Sequence, residues 1–308
     1  MPKVINELSV TVIIPTYNRR EELLRAITSV LQQSYEVSEI VIVDDNSSFS
    51  VKQMVSYHHE LLIQKKKLKI IKNKKNVGSA ASRNIGVRHS NGKYVAFLDS
   101  DDTWLPNKCQ KQLKVFNNDD SVDMVYCDQF LNRSGKRSNS GKILHTNNVL
   151  HHLSNGWTAP NTSTLIFKKD SFLNIGGFSE NLASCQDHDL WFKVASKNLK
   201  VQVVAEPLTV FNLDGSDRLS KNMDARLQGS QEFLNNCREY MNNKQHERFQ
   251  SQYIAKVLYP IFTSSILERN LLKSYQIYYK YLCSNRYFYS FIIRNIKNRI
   301  AKFVKLGE

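Results

Sequence analysis

Short apolar runs alternate strictly with amphipathic helical segments over roughly the first hundred residues of this 308-residue chain. The apolar runs predict four strands, at 9–14, 39–43, 68–71 and 94–98. Each intervening segment carries apolar residues at the spacing of a helix that buries one face. Since β-α-β units of this kind build parallel sheets, the pattern predicts an α/β fold with a mostly parallel sheet flanked by helices.

Acidic clusters follow two of these predicted strands. Asp44 and Asp45 end the second strand, and Asp99, Asp101 and Asp102 follow the fourth. Parallel strands present their carboxyl ends at one edge of the sheet, where open α/β sheets bind ligands. Clustered carboxylates suit Mg²⁺ or Mn²⁺, which usually also hold a substrate's phosphates. Each cluster alone also fits an acidic turn before a helix, but their coincidence favours a polar cleft.

The later part of the chain is less regular. Its polar segment 132–155 predicts a surface loop, and residues 201–205 predict the last strand. From about Asp224 strand signals disappear, and 286–306 contains six basic residues, no acidic residue and apolar residues at helical spacing. Such a basic amphipathic helix binds anionic membrane surfaces, or else caps the main domain or a second subunit in a homodimer. We therefore predict two domains, 1–222 and a helical region 223–308.

The charge and the cysteines limit the environment. A formal net charge of +15 favours a polyanionic neighbour, either nucleic acid, anionic lipid or a phosphorylated small molecule. Five widely spaced cysteines form no zinc or disulfide pattern, which favours a reducing compartment. No apolar run approaches the ~18 residues of a membrane span, and the N-terminus lacks the apolar stretch of a signal peptide. We therefore expect a cytoplasmic protein.

Six stretches, taken in order, resemble the motifs of family 2 glycosyltransferases. They are Val12–Arg19, Ile42–Ser47, Gly78–Gly86, Phe97–Trp104, Gly176–Phe178 and Gln186–Trp191. The resemblance covers residues 9 to about 210 and leaves the tail after about 225 outside. It implies the GT-A fold, which is Rossmann-like, and transfer of a sugar from a nucleoside diphosphate donor.

The resemblance also implies roles for single residues. Asp99 and Asp101 match the Asp-x-Asp pair that binds Mn²⁺ or Mg²⁺, and Asp102 is held in reserve as a ligand. Asp45, with Asp44 beside it, matches the carboxylate that accepts a hydrogen bond from uracil. The other residues that match the donor site are Pro15, Thr16, Tyr17, Asn18, Arg83 and Ser100. For Arg83 a structural ion pair is the alternative.

Inversion at the anomeric carbon requires a general base for the acceptor hydroxyl. The family usually carries Glu-Asp at this point, whereas this chain has Gln186-Asp187, so the resemblance gives Asp187 the role of base. The glutamine removes one negative charge beside that base. Asp189 is a weaker candidate for the base, because a carboxylate in the first turn also stabilises the helix dipole.

The loop 211–220 departs from the family pattern. Many relatives carry a histidine close to the metal in this loop, but here it has none. Either Asp214 or Asp217 replaces that histidine, or the loop supplies no metal ligand. Arg218 is a weak candidate for closing over the diphosphate.

The resemblance and the charge together predict an inverting hexosyltransferase. We expect it to move Glc, Gal, GlcNAc or GalNAc from a UDP-sugar to a saccharide hydroxyl and to form a β-glycosidic bond. The basic tail favours a polyprenyl-diphosphate-linked acceptor of surface polysaccharide synthesis, at the inner face of the cell membrane. One alternative is an inactive relative that binds sugar nucleotides. Nucleic-acid binding is the weakest alternative, because acidic clusters repel a phosphate backbone.

Overall fold

The computed structural model describes residues 8–64, 67–140, 149–154, 160–214 and 223–253, together with Tyr275, Ile277 and Tyr278. The strands are β1 Val10–Thr16, β2 Glu39–Asp44, β3 Leu68–Lys72, β4 Tyr94–Phe97, β5 Thr103–Trp104, β6 Met124–Arg133, β7 Lys136–Asn139, β8 Ile166–Lys168 and β9 Val201–Asn212. The helices are α1 Glu21–Leu31, α2 Val51–Gln64, α3 Ser79–Arg88, α4 Lys108–Asn118, α5 Val149–Ser154, α6 Lys169–Asn174, α7 Gln186–Ser196, α8 Met223–Asn236 and α9 Asn243–Tyr253.

The nine strands form one sheet in the order β3-β2-β1-β4-β8-β6-β9-β5, and β7 pairs with the outer part of β6. Strands β1 to β4 are mutually parallel, as predicted, and β6 is parallel to β9. Strand β8 runs antiparallel to both β4 and β6, so these two run in the same direction. The carboxyl ends of β1, β2, β4, β6 and β9 therefore lie at the same edge of the sheet.

Apolar side chains fill both faces of the sheet, which explains why the central strands read as continuous apolar runs. Ile13 belongs to the cluster under α3, α5, α6, α7, α8 and α9, whereas its neighbours Val12 and Ile14 belong to the cluster under α1, α2 and α4. This alternation follows from the two-residue period of a strand. The predicted α/β fold with helices on both faces is confirmed.

Helices α8 and α9 pack on α7. The ring of Phe192 in α7 lies 5.6 Å from that of Phe233 in α8 and 5.0 Å from that of Phe249 in α9. Residues 223–253 therefore share the core of the α/β region, while the predicted division into two domains stays a prediction. The predicted basic helix 286–306 lies outside the described residues. Among the described residues, no helix is both long and apolar enough to cross a bilayer.

Two predictions about the later chain were wrong. Strand β9 continues from Val201 to Asn212, well past residue 205. Part of the predicted loop 132–155 is a hairpin of β6 and β7, followed after residues outside the description by α5. Ser134 and Gly135 connect the hairpin with φ angles of 49° and 78°. Positive φ at both central residues is the requirement of a type I′ turn, which makes the strands turn back directly.

Candidate active site

The loops after β1 and β2 are bound to each other. Thr16 and Asp44 are register partners at the ends of these strands. Asn18 has a positive φ of 52°, and its N–H donates a hydrogen bond to Ser47 Oγ at 3.0 Å. Its side-chain Oδ1 accepts the N–H of Ser48 at 2.8 Å. Of the predicted donor-site residues, Pro15 and Thr16 are the buried last residues of β1. Tyr17, which is 47% exposed, and Asn18 follow on the loop that these contacts fix.

Asp45 holds the segment that leads into α3. Its Oδ1 accepts hydrogen bonds from Asn73 Nδ2 at 2.9 Å and from the N–H of Val77 at 2.8 Å. Its Oδ2 accepts the N–H of Gly78 at 2.8 Å. Asp44 accepts the N–H of Ser47 at 2.8 Å. Both carboxylates are buried and engaged with backbone, so the predicted contact of Asp45 with uracil stays a prediction.

Arg83 projects from α3 towards the end of β4. Its guanidinium pairs with the carboxylate of Asp99 and lies 5.2 Å from the ring of Phe178. The side chain is only 7% exposed, and its Nε has no hydrogen-bond partner among the described residues. A buried cation with a free N–H suits an incoming phosphate oxygen. The ion pair and the predicted diphosphate role are therefore compatible.

Residues 99–102, here called the metal loop, gather three carboxylates after β4. Oxygen atoms of Asp99, Asp101 and Asp102 all lie within 4.8 Å of one another. Arg19, from the loop after β1, pairs with Asp101 at 3.0 Å. Two arginines thus balance Asp99 and Asp101, which a metal ion can also do. These two oxygen donors fit Mg²⁺ or Mn²⁺, which take few protein carboxylates and complete their shell with water and phosphate.

Asp102 differs from its two neighbours because it is fully buried. Its Oδ2 accepts hydrogen bonds from Ser163 Oγ at 2.6 Å and Asn161 Nδ2 at 3.1 Å. Its Oδ1 accepts the N–H of Asn212, at the end of β9, at 3.3 Å. Asp102 therefore ties the metal loop to the body of the sheet, and the structure gives it a structural role.

The proposed base, Asp187, lies in the first turn of α7 with its side chain 32% exposed. Its Oδ1 accepts the N–H of His188 at 3.0 Å. Beside it, Gln186 Oε1 accepts a hydrogen bond from Ser79 Oγ at 3.0 Å. Ser79 begins α3 and follows Gly78, the residue that Asp45 holds. A continuous set of contacts through Gly78 and α3 therefore joins Asp45, the metal loop and the start of α7.

Asp189, the weaker candidate for the base, is fully buried. It accepts hydrogen bonds from Ser179 Oγ at 2.6 Å, Asn236 Nδ2 at 3.1 Å and the hydroxyl of Tyr240 at 3.3 Å. Lys193 Nζ lies 3.6 Å from its Oδ2. Burial, with Asp189 nearby, raises the pKa of Tyr240 above its ordinary value. Asp189 therefore joins α7 to α8, and its full burial favours Asp187 over it as the base.

Sequence reasoning missed several residues of the site. Arg19 stood inside the first motif without a role, and Ser79 and Asn212 carried no signal that they contact Gln186 and the metal loop. Asp214, a candidate replacement for the missing histidine, accepts the N–H of Ser134 at 2.7 Å and so contacts the β6–β7 hairpin. The other candidates in that loop, Asp217 and Arg218, lie outside the described residues.

Comparisons of sequence place the chain in one family. Residues 11–172 match the glycosyl transferase family 2 description. An uncharacterised glycosyltransferase of Rickettsia bellii is 29% identical over 269 residues, which are 86% of this chain and 37% of the relative. An uncharacterised glycosyltransferase of Haemophilus influenzae is 30% identical over 213 residues, which are 65% of this chain and 66% of the relative. The chain spans only about a third of the length of the first Rickettsia relatives.

Comparisons of structure give the fold. TarS 1–349 of S. aureus in complex with UDP-GlcNAc matches with a TM-score of 0.56 at 18% identity, over 90% of this chain and 91% of that one. The mannosyltransferase PcManGT of Pyrobaculum calidifontis, in complex with GDP-Man and Mn²⁺, matches with a TM-score of 0.55 at 17% identity, over 93% and 86%. With the sheet, the acidic loops and the family match in agreement, the chain belongs to glycosyltransferase family 2 and has the GT-A fold.

Proposed function

We propose that this protein is a metal-dependent inverting glycosyltransferase that moves a hexose from a UDP-sugar to a hydroxyl of a saccharide acceptor. One observation carries the proposal. Helix α3 contacts the metal loop through Arg83 and the start of α7 through Ser79, and Gly78, directly before α3, donates its N–H to Asp45. A nucleotide, a cation and an acceptor hydroxyl can therefore be held against one helix.

The proposed donor is a UDP-sugar carrying Glc, Gal, GlcNAc or GalNAc. The uracil ring would lie against residues 15–18 at the end of β1, where the half-exposed Tyr17 offers a stacking surface. Asp44 or Asp45 would accept its ring N–H. The UDP and UDP-GlcNAc complexes of TarS support a UDP-sugar, whereas the GDP-Man complex of PcManGT is the competing precedent.

Asp99 and Asp101 would hold the metal ion, Mn²⁺ or Mg²⁺, with Ser100 between them on the same loop. Once bound, the metal supplies Lewis-acid charge that stabilises the leaving diphosphate. Arg83 and Arg19 form ion pairs with these two carboxylates. With the metal bound to the carboxylates, the two guanidinium groups would also attract the phosphate oxygens. Because the Arg83 guanidinium is buried, its interaction with a phosphate oxygen is little screened by water.

Asp187 would take the proton of the acceptor hydroxyl as that oxygen attacks the anomeric carbon. The N–H of His188 orients one carboxylate oxygen, and the side chain as a whole is partly exposed. Attack from the face opposite the departing UDP inverts an α-linked donor and gives a β-glycosidic bond. The proton ends on the Asp187 carboxyl, and the diphosphate leaves towards the metal loop.

The proposed acceptor is a polyprenyl-diphosphate-linked saccharide in surface polysaccharide synthesis. The net charge of +15 and the basic segment 286–306 support an anionic membrane surface as a partner, with the enzyme peripheral at the inner face. A homodimer through the helical region 223–308 remains part of the same proposal. Nucleic acid is not a proposed partner.

A donor panel tests the activity. UDP- and GDP-sugars are incubated with the purified chain and Mn²⁺, and release of nucleoside diphosphate is measured with and without saccharide acceptors. Asp187→Asn is expected to lower turnover at least about a thousandfold while UDP binding with Mn²⁺ persists. Asp101→Asn should weaken the Mn²⁺-dependent part of UDP binding.

The matched control is Asp170→Asn, which changes an exposed carboxylate in the first turn of α6. Full activity in this variant is expected. Retained turnover in Asp187→Asn would assign the base elsewhere, and a wild-type protein that binds UDP-sugars without turnover would be the inactive relative.

The proposed association with an anionic membrane is tested separately. The full chain is expected to sediment with vesicles containing anionic phospholipid, and deletion of 286–308 should abolish sedimentation and slow transfer to a lipid-linked acceptor. Unchanged transfer and sedimentation after the deletion would remove the membrane from the proposal.

A further inference from the structure

The β6–β7 hairpin carries exposed cations beside the metal loop. Arg133 ends β6, and Lys136 and Arg137 begin β7 after the two-residue turn. All three side chains are exposed. The hairpin stands at the sheet edge that carries the acidic loops, because β6 and β4 run in the same direction.

A row of paired residues connects this hairpin to the metal loop. Arg137 is the cross-strand partner of Asn132, and Asn132 is the partner of Asn212 in β9. Asn132 Nδ2 donates to Asn212 Oδ1 at 2.7 Å, and Asn212 Nδ2 donates to the carbonyl oxygen of Asp101 at 2.7 Å. Paired residues share a face of the sheet, so Arg137 lies on the face that contacts the metal loop.

The same geometry separates Arg137 from the other two cations. Arg133 and Lys136 form the next pair along the hairpin and therefore project from the opposite face. Two strand spacings, about 10 Å, separate the backbone of Arg137 from that of Asn212. An extended arginine side chain spans much of this distance.

The hairpin is also fixed in place. The N–H of Leu213 donates to the carbonyl of Asn132 at 2.9 Å, and the N–H of Ser134 donates to Asp214 Oδ2 at 2.7 Å. Both contacts join the hairpin to the end of β9, which also holds Asp102. The position of Arg137 relative to the metal loop is therefore set by backbone contacts.

The charge of Arg137 is available to a ligand. Within the described part of the chain, no carboxylate forms an ion pair with it, whereas the nearby Asp99 and Asp101 pair with Arg83 and Arg19. Those two arginines already lie where the proposed donor's diphosphate would be neutralised. A planar guanidinium with several free N–H groups is suited to bidentate contact with a further phosphate.

We propose that Arg137 binds a phosphate group of the acceptor and so makes the enzyme prefer sugars linked to diphosphate over neutral glycosides. The inference rests on the proposed function, because it assumes transfer to an acceptor at this edge of the sheet. Basic residues on an edge strand also discourage strand pairing between molecules. Arg133 and Lys136 serve that purpose as well as Arg137 does, but they face away from the metal loop.

The experiment compares two acceptors with the donor that the wild-type chain turns over. One is a synthetic sugar diphosphate with a short alkyl chain, and the other is the same sugar as a neutral alkyl glycoside. Arg137→Gln is expected to raise the KM for the diphosphate acceptor about tenfold, with kcat, donor hydrolysis and the KM for the glycoside nearly unchanged. The double variant Arg133→Gln, Lys136→Gln is the matched control and should keep the preference.

Several results would overturn the inference while leaving transfer itself intact. They are equal use of both acceptors by the wild type, a preference that survives in Arg137→Gln, and an equal loss of the preference in the double variant, which would indicate general electrostatic attraction.

Donor hydrolysis without transfer to either acceptor also overturns the inference. Weaker sedimentation of Arg137→Gln with anionic vesicles, at an unchanged acceptor KM, would assign the cation to lipid headgroups instead. Absence of any donor turnover would refute the proposed function, and the inference with it.

Discussion

The hydroxyl of Ser79 donates a hydrogen bond to Gln186 Oε1 at 3.0 Å and so joins the first turn of α3 to the first turn of α7. Gln186 also donates from Nε2 to the carbonyl of Leu182 at 2.9 Å. A glutamine can do both because its amide has an acceptor and a donor. The residue that replaces the family's usual glutamate is therefore a connection between the two helices as well as a neutral neighbour of Asp187.

Gln186→Glu tests this position. The new carboxylate can still accept from Ser79, but it loses the donor for Leu182 and places a negative charge near Asp187. Like charges disfavour each other's ionised form, so the acidic limb of the kcat/KM profile should move to higher pH, by about 0.5 unit for charges roughly 6 Å apart in water. The measurement is kcat/KM between pH 4 and pH 9.

The control for Gln186→Glu is Gln110→Glu on the exposed side of α4. Gln110 Oε1 also accepts a hydrogen bond from a serine hydroxyl, that of Ser34 at 3.2 Å, but it lies on the surface. Its profile should match that of the wild type. An acidic limb that does not move in Gln186→Glu would show that a negative charge at position 186 does not affect the ionisation of the base.

Asp189→Asn should lower the free energy of unfolding much more than Asp187→Asn does. Asp189 is fully buried and accepts from three hydroxyl or amide donors, so an amide there must turn its NH₂ towards some of them. We expect the free energy of unfolding to fall by roughly 2–4 kcal/mol. Asp187 is partly exposed, and its substitution should change stability by less than about 0.5 kcal/mol. Urea denaturation of the two variants measures both, and equal stabilities would refute the structural role of Asp189.

Asp45→Asn tests how the segment before α3 is held. Asparagine keeps one acceptor, so either the Val77 or the Gly78 N–H faces an NH₂ group instead of a carboxylate oxygen. We expect stability to fall by about 1–3 kcal/mol and the affinity for UDP to fall with it, because the segment before α3 is released. Calorimetric titration with UDP gives the affinity. Asp44→Asn is the comparison, because its remaining amide oxygen can still accept the N–H of Ser47. A larger loss of UDP affinity there would identify Asp44 as the carboxylate that binds uracil.

The sequence predicted the features that depend on neighbours along the chain. Apolar runs and the carboxylates after them are signals between neighbours in the sequence. They were therefore enough to predict the parallel sheet and the acidic loop 99–102 at its edge. Asp189 was different: its partners Asn236 and Tyr240 lie 47 and 51 residues away, in the segment outside the family resemblance. The β6–β7 hairpin was missed because β7 is exposed on both faces and has no apolar alternation.

A buried lysine gives the last prediction. Lys108 begins α4 with no exposed surface, and its Nζ lies 4.0 Å from the centre of the Trp104 ring. That nitrogen has no hydrogen-bond partner among the described residues, and desolvation lowers the pKa of Lys108 from its ordinary value. The ring of Trp104 offsets only part of the cost of burying the charge. The side chain should therefore destabilise the fold at neutral pH.

Lys108→Met is thus expected to raise the free energy of unfolding at pH 7 by about 1 kcal/mol. Between the lowered pKa of folded Lys108 and its unfolded value of 10.5, the unfolded wild-type chain binds more protons, so wild-type stability rises with pH in that window. The advantage of Lys108→Met should therefore shrink as the pH approaches 10.5. Urea denaturation at pH 7 and pH 10 measures both values, with Lys114→Met on the exposed side of the same helix as the unaffected control. A Lys108→Met variant less stable than the wild type at pH 7 would mean that the ammonium contributes more through Trp104 than its burial costs.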